Sequence, residues 1–378
     1  MKLAELIRTK EVVVCCGAGG VGKTTTSAAL GLAAARSGRR ALVLTIDPAR
    51  RLAQALGIPP TGSAPVRIEA ELLEASGVVL PDGAELHAWM LDPKVVLESI
   101  VDRFAPDEDA KRRIRETRLY KALCEVMTGL QEYTAAEALY DFNEQGRFDL
   151  IILDTPPSRN ALDFLDAPRR LARFLDERTL SLFAPDAFAQ KGSTLVRAAS
   201  KVVHTAISKA FGESFANELQ HFLGAFGTLF GKMRLHAKGV RELLMSSKSA
   251  FIVITSPEEM ALDEALFFKR RIAELGLTAE GFVLNRSYAT DGPCQTPNEL
   301  IELQGWTTGV AAEALRKLSP MAEHEIRRGR ADRELLETLV REGRRGGGQG
   351  AIALPYLDEA VEDIPALAQL SSHVLASE

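Results

Sequence analysis

The chain has 378 residues, 46% apolar and 26% charged, which is typical of a soluble globular protein with a large core or two domains. Lysine and arginine total 46 against 51 aspartate and glutamate, and the net charge of −5 does not favour nucleic-acid binding. The four cysteines form no CxxC pair, and no apolar run approaches the length of a membrane span. We therefore predict no disulfide framework, zinc site or membrane span, and we expect a cytoplasmic protein.

The first predicted elements enclose a glycine-rich loop. Residues 11–16 are an apolar, β-branched run typical of a buried parallel strand, and residues 25–36 are a helix of small residues. Between them, residues 17–24 have the sequence Gly-Ala-Gly-Gly-Val-Gly-Lys-Thr, the pattern of a phosphate-binding loop. The alternative is a glycine-rich turn that opens an ordinary helix.

This loop predicts a nucleoside triphosphate site with Mg²⁺. Backbone N–H groups and the helix N-terminus favour phosphate binding. Lys23 should reach the β- and γ-phosphates, and the Thr24 hydroxyl should bind Mg²⁺. The predicted nucleotide contacts within the loop are Gly19, Gly20, Val21, Gly22, Lys23, Thr24 and Thr25.

Two further predicted strands each end in an aspartate. Residues 41–46 precede Asp47, and residues 148–153 precede Asp154. A carboxylate at the C-terminal tip of a parallel strand faces the ligand crevice. We therefore predict that Asp154 supports the metal through water and that Asp47 positions the attacking water. A helix cap is the alternative role for each aspartate.

The rest of the chain alternates between strands and helices. This alternation predicts an α/β, doubly wound, mostly parallel sheet. Residues 344–350 are glycine-rich and predict a mobile loop. The remaining predicted strands are 85–90, 250–255, 281–286 and 351–355, and the predicted helices are 261–275, 308–329 and 332–343.

Two long stretches have no strand pattern and predict a helical subdomain inserted into the ATPase domain. We assign residues 1–93, 146–167 and 249–378 to the P-loop ATPase domain, and residues 94–145 and 168–248 to the insert. Between residues 191 and 248 there are nine lysines and arginines and three glutamates, a net charge of 9 − 3 = +6.

An aromatic stripe on one predicted helix lies within this basic stretch. It consists of Phe211, Phe215, Leu219, Phe222, Phe226 and Phe230. One interpretation is packing into the core of the subdomain. The other is an amphipathic lid over a hydrophobic protein client, or a contact with a membrane surface.

These motifs resemble those of the arsenite-pump and tail-anchored-protein-targeting ATPase family, one branch of the dimeric P-loop ATPases that include ParA, MinD and the nitrogenase iron protein. The resemblance extends over nearly the whole chain. It rests on the loop, on the segments 45–49 and 154–158, on the helical insert, and on Leu354-Pro355-Tyr356. It implies a dimer with ATP at its interface, a water-orienting role for Asp47, and an adenine contact for Asn285.

The chain departs from the family pattern at Ala18, where the family usually has a lysine that reaches the phosphates of the dimer partner. We therefore favour a heterodimer with a homologous subunit that keeps this lysine, with a slowly hydrolysing homodimer as the alternative. The segment after Asp154 also differs, and Arg159 is either a substitute cation or a surface residue.

The sequence does not favour arsenite activation or an iron–sulfur cluster, because Cys124 and Cys294 stand alone. The predicted function is a Mg-ATP-dependent dimeric switch ATPase in which hydrolysis to ADP and phosphate opens and closes the helical subdomain. Two alternatives are a non-hydrolysing ATP-binding regulatory subunit and a ParA- or MinD-like partitioning ATPase acting at a membrane or DNA surface.

Overall fold

The computed structural model of the chain contains one eight-stranded sheet with helices on both faces. It describes residues 2–46, 51–58, 62, 64–105, 107–118, 120–121, 131–156, 194–290, 296–305, 309–357, 361 and 363–377. Within this part of the chain, no helix is long and apolar enough to cross a membrane.

The sheet confirms the predicted doubly wound architecture. The strands are β1 Val12–Gly17, β2 Arg40–Thr45, β3 Val66–Arg67, β4 Glu85–Met90, β5 Leu150–Asp154, β6 Ser249–Thr255, β7 Ala279–Ser287 and β8 Gly350–Pro355. Their order in the sheet is β3-β4-β2-β5-β1-β6-β7-β8, and every neighbouring pair is parallel except β3 with β4. The short β3 strand was not predicted, because two residues are too few for a sequence pattern.

Helices connect the strands and cover both faces of the sheet. Helix α2 follows the glycine-rich loop directly and packs against the last helix, α13. The helices are α1 Leu3–Thr9, α2 Lys23–Arg36, α3 Arg51–Leu56, α4 Ala70–Ala75, α5 Pro93–Phe104, α6 Glu108–Glu116, α7 Gln131–Gln145, α8 Thr194–Phe211, α9 Glu213–Met245, α10 Glu259–Glu274, α11 Pro297–Gln304, α12 Val310–Arg345 and α13 Ile364–Leu375.

Two hydrophobic cores lie on opposite faces of the sheet, because successive strand residues point to opposite sides. In β1, Val12 and Val14 belong to the core under α5, α7, α10 and α12, whereas Val13 and Cys15 belong to the core under α1, α2 and α13. The central strands are apolar on both faces for this reason, which is the pattern of a parallel sheet covered on both sides.

Three details differ from the sequence predictions. The predicted helices 308–329 and 332–343 are one helix, α12, because Arg330 and Ala331 between them favour the helical backbone and Gly329 lies inside the helix instead of ending it. Asp332 of this helix accepts hydrogen bonds from the Ser287 hydroxyl and the Tyr288 N–H, at 3.1 and 2.8 Å, which hold it against the turn after β7. Of the glycine-rich segment 344–350, residues 346–349 form a tight turn, and the residues on either side of them belong to α12 and β8. A Cβ at Gly348 would lie 2.3 Å from the Ala279 carbonyl oxygen, so the glycine is needed for close packing.

The third difference concerns the aromatic stripe, which lies on two helices. Phe211 is the last residue of α8, and Gly212, with φ of 93°, separates it from α9, which carries Phe215, Leu219 and Phe222. A positive φ suits glycine and ends the first helix. The side chains of Phe226 and Phe230 lie outside the described part of α9.

Candidate functional site

The glycine-rich loop joins β1 to α2 at the carboxyl edge of the sheet. Gly20 and Gly22 both have positive φ, 82° and 86°, which turns the backbone tightly before the helix begins at Lys23. Such a turn directs N–H groups into its concave side, where they and the helix N-terminus form an anion site. The predicted strand–loop–helix context is therefore confirmed.

Lys23 lies inside this loop. Its side chain is buried, and Nζ donates a hydrogen bond to the Ala18 carbonyl oxygen at 2.7 Å. A buried ammonium that interacts with a backbone carbonyl holds its charge within the concave turn, where a phosphate would meet it. The Ala18 side chain itself is 7% exposed and belongs to the apolar core below the loop.

Three oxygen-bearing side chains meet beside the loop. The Thr24 hydroxyl donates to Asp154 Oδ2 at 2.7 Å, and the Thr45 hydroxyl donates to the same oxygen at 2.9 Å. Asp154 is fully buried. The arrangement follows from the sheet register, because Asp154 pairs with both Cys15 of β1 and Thr45 of β2 at the tips of adjacent strands.

A further hydrogen bond fixes the end of β5. The buried Thr155 hydroxyl donates to the Cys15 carbonyl oxygen at 2.7 Å, across the junction between β5 and β1. The segment after Asp154 therefore leaves the sheet from a defined point beside the loop.

Asn285 contacts the loop from the other side. Its side chain is 3% exposed, and Nδ2 donates to the Val21 carbonyl oxygen at 2.9 Å. The ladder between β7 and β8 shifts register between Leu284 and Ser287, and Arg286 has a left-handed φ of 55°. A bulge of this kind redirects side chains at the end of a strand.

An aromatic pair that the sequence did not predict lies next to this bulge. The rings of Tyr288 and Tyr356 stack with centroids 5.1 Å apart, and the Arg328 guanidinium lies over Tyr288 at 4.5 Å. The sequence signal for Tyr356 is its place directly after Leu354-Pro355 in a family motif. Thr45 likewise belongs to a family motif, in the segment 45–49, and its hydroxyl contacts Asp154.

The cysteines beside the loop are unsuited to thiolate chemistry. Cys15 and Cys16 are fully buried in β1. Burial raises the pKa of the Cys15 thiol far above its usual range and raises the pKa of Cys16 to about 12. Thiols with such pKa values stay protonated and are poor ligands for soft metals.

The described residues thus bring together Gly19, Gly20, Val21, Gly22, Lys23, Thr24, Thr25, Asp154 and Asn285 at one edge of the sheet. Asp47 and Arg159 lie outside the described residues, as do Cys124 and Cys294. A phosphate-binding loop at the carboxyl edge of a parallel sheet, with a threonine and an aspartate side by side, defines the class of P-loop nucleotide-binding proteins.

Comparison with known proteins identifies the family within this class. The model of the anion-transporting ATPase family matches residues 10–306, so the chain belongs to that family. The match covers the loop, Asp47, Asp154 and Asn285 together with the helical stretches between them, and it confirms the resemblance drawn from the sequence.

The relatives are distant in sequence. A protein of Aquifex aeolicus, provisionally named arsenical pump-driving ATPase 1, is 23% identical over 73% of this chain, and the match spans 63% of that protein's length. ATPase ASNA1 homolog 1 of Paramecium tetraurelia is 23% identical over 76% of this chain and 78% of its own. An uncharacterized protein of Streptomyces coelicolor is 25% identical over 90% of this chain and 74% of its own.

Proposed function

We propose that this protein is a Mg-ATP-dependent switch ATPase that works as a dimer with ATP at the subunit interface. The observation that carries the proposal is the 2.7 Å hydrogen bond between the Thr24 hydroxyl and Asp154 Oδ2, beside the buried Lys23. This contact joins the loop and the tip of β5 into one site. In that site Lys23 could pair with a phosphate, and the oxygens of Thr24 and Asp154 could hold a metal ion.

The donor set fits Mg²⁺, which prefers hard oxygen ligands and binds with several retained waters. Thr24 would bind the ion directly, and Asp154, held by Thr24 and Thr45, would support it through water. When bound, Mg²⁺ would neutralise charge on the β- and γ-phosphates.

The residues of the chain would act on ATP as follows. Lys23 would exchange its hydrogen bond to the Ala18 carbonyl for the phosphate oxygens. Asp47 would orient a water whose oxygen attacks the γ-phosphorus while the bond to the leaving oxygen of ADP breaks, giving ADP, phosphate and a proton. Asn285, whose Nδ2 already contacts the loop, would contact the adenine.

Replacing Thr24 tests this site. Thr24→Ala removes the hydroxyl and should weaken Mg-ATP binding about tenfold or more and lower turnover further, since the metal loses a ligand. ATP binding measured in EDTA should change little. Thr24→Ser keeps the hydroxyl and serves as the matched control. Equal Mg²⁺ dependence in the alanine and serine variants would contradict the proposed metal site.

The choice between a heterodimer and a homodimer rests on Ala18. Because the chain lacks the family's lysine at this position, we favour pairing with a homologous subunit that supplies it across the interface. The loss of a charge-stabilising group at a phosphoryl-transfer site costs several kcal/mol of transition-state stabilisation. A homodimer would then hydrolyse ATP slowly, and a non-hydrolysing regulatory subunit is the second function that Ala18 favours.

We also propose that the helical stretches 94–145 and 168–248 form the moving subdomain and bind a hydrophobic partner. Phe211 and Phe215 are 71% and 37% exposed, and their ring centroids lie 5.5 Å apart where α8 meets α9. The sequence of α8 contains lysine, arginine and no acidic residue. The exposed rings could contact a hydrophobic protein client, and the positive charge of α8 could bind an anionic membrane surface.

Sedimentation with anionic vesicles at low and high salt distinguishes the protein client from the membrane surface. If the partner is the membrane, the protein should sediment with the vesicles at low salt and not at high salt.

A further inference from the structure

A cavity separate from the loop lies where α5 and α7 cover the end of β4. It has a volume of about 200 Å³ and is partly open to solvent. None of the predicted nucleotide-site residues lines it. Its apolar walls include Trp89 of β4, Val96 and Ile100 of α5, and Ala138 and Phe142 of α7.

Two aromatic rings in the cavity wall are held by defined contacts. The Trp89 indole N–H donates to the Gly62 carbonyl oxygen at 3.0 Å, which fixes the ring. Trp89 and Phe142 meet edge to face with centroids 5.6 Å apart, and Phe142 meets Phe148 in the same way at 5.6 Å. An apolar cavity of about 150 Å³ in a protein can bind benzene, so this one is large enough for a single aromatic ring or a medium-length alkyl chain.

Two arginines and two carboxylates line the cavity, and one of the arginines is placed to meet an anion. Each carboxylate already has a partner: Asp141 pairs with Arg103 at 2.5 Å, and the buried Glu137 contacts His236 Nδ1 at 3.2 Å. Arg147 also lines the cavity. Its guanidinium lies over the Phe148 ring at 5.1 Å, and among the described residues it forms no ion pair. Arg103 also lines the cavity, but it is paired with Asp141, so Arg147 is the arginine at the rim that a ligand with one negative charge could meet.

We propose that this cavity binds a small amphipathic carboxylate, either a single-ring aromatic acid or a medium-chain fatty acid. The apolar body would lie between Trp89 and Phe142, and the carboxylate would pair with Arg147. This site is independent of the nucleotide site, and its test does not depend on ATP hydrolysis.

The chain contains its own reporter for the test. Of its two tryptophans, Trp89 lines the cavity, so Trp306→Phe leaves Trp89 as the sole emitter. The probes are octanoate, octan-1-ol and octylammonium, which share one chain length and differ in charge. We expect octanoate to change Trp89 fluorescence saturably, and titration calorimetry to give an affinity about tenfold or more above that of the other two probes, the size of effect expected for one charge-assisted contact.

Two variants locate the site. Ala138→Leu places three more carbon atoms in the cavity and should abolish octanoate binding, while the melting temperature stays equal or rises because the substitution fills a cavity. Arg147→Gln should weaken octanoate about tenfold and leave octan-1-ol unchanged. Arg112→Gln removes an exposed arginine that pairs with Asp109 on α6, and it should change neither affinity.

Three results would overturn the proposal. They are the absence of a saturable octanoate signal, equal binding of octan-1-ol or octylammonium, and unchanged octanoate binding in Ala138→Leu. Should Ala138→Leu fail to fold, Arg147→Gln decides alone, and an unchanged ratio of octanoate to octan-1-ol affinity in that variant rejects the site.

Discussion

The Lys23 ammonium and the Asp154 carboxylate lie on either side of Thr24, and neither is exposed to bulk water. Burying two charges is costly unless each has polar partners. Lys23 interacts with the Ala18 carbonyl, and Asp154 accepts two hydroxyl hydrogen bonds. These hydrogen bonds hold both charged side chains in place. A bound nucleotide could replace the Ala18 carbonyl as the partner of Lys23, and a metal could take the place of a hydroxyl beside Asp154.

Asp47 is the residue on which the proposed hydrolysis depends. Asp47→Asn keeps the size of the side chain and removes its charge, so ATP binding should be preserved. Turnover should fall by about 10²–10⁴-fold, the usual contribution of a group that takes part in proton transfer. Fluorescent-nucleotide titration and steady-state phosphate release measure the two effects. Turnover at the wild-type rate would remove Asp47 from the proposed mechanism.

The sequence was sufficient to predict some residues of the site and insufficient for others. Lys23 and Thr24 belong to a local motif, and Asp154 ends an apolar run, so each has a signal in its own neighbourhood. The contact of Thr45 with Asp154 depends on which strands are adjacent. The bond from Asn285 to Val21 joins residues that are 264 positions apart. Sequence periodicity carries no information about either pairing.

At the scale of elements, the nucleotide loop and the end of β7 must fit closely together. Gly22 has a φ of 86°, and a Cβ there would lie 2.2 Å from Asn285 Nδ2. Gly22→Ala should therefore cost about 1–3 kcal/mol of stability through strain and should weaken ATP binding strongly, because the loop moves away from Asn285.

Gly38→Ala is the matched control for this prediction. Gly38 has a φ of 90°, and a Cβ there would meet nothing within 4 Å. Gly38→Ala should lower stability only because alanine disfavours a positive φ, and it should leave ATP affinity unchanged. Equal loss of ATP affinity in the two glycine variants would show that contact with Asn285 is unimportant.

Element types were predictable where the pattern is local. The strands that follow the apolar runs agree with prediction to within one or two residues, and β4 spans residues 85–90 as predicted. The errors occurred where a local signal is ambiguous or a distant contact decides. Gly329 lies inside α12 although a glycine often ends a helix, and close packing on Ala279 shapes the turn at Gly348. The domain boundaries remain predictions.

For the whole molecule, His87 links stability to pH. It is buried in β4, where its ring meets Phe148 at 5.1 Å and Nε2 contacts Glu85 at 2.9 Å. Burial lowers the pKa of His87 below its usual 6.5. As the pH falls through 6.5, His87 therefore becomes protonated in the unfolded chain but stays neutral in the folded chain. The free energy of unfolding should then decrease as the pH drops below that value.

Because His87 binds one proton, it can change the free energy of unfolding by at most about 1.4 kcal/mol per pH unit. Urea denaturation between pH 7 and pH 5.5 should show the free energy of unfolding decreasing within this limit, and His87→Gln should make it depend less on pH. The exposed His373 offers a control, since His373→Gln should leave the slope as it is. A wild-type protein that becomes more stable in acid over this range would contradict the assignment.

The most direct test of the proposed heterodimeric ATPase is to purify the native complex by an affinity tag on this chain. Its subunits are identified by mass, and its Mg-ATP turnover is measured. We expect a stoichiometric homologue with lysine at the position of Ala18, and a turnover that falls by about 10²-fold or more when this chain carries Lys23→Ala. A homodimer that hydrolyses ATP as fast as lysine-bearing relatives would contradict the heterodimer. Turnover that is absent, or unaffected by Lys23→Ala, would contradict the ATPase itself.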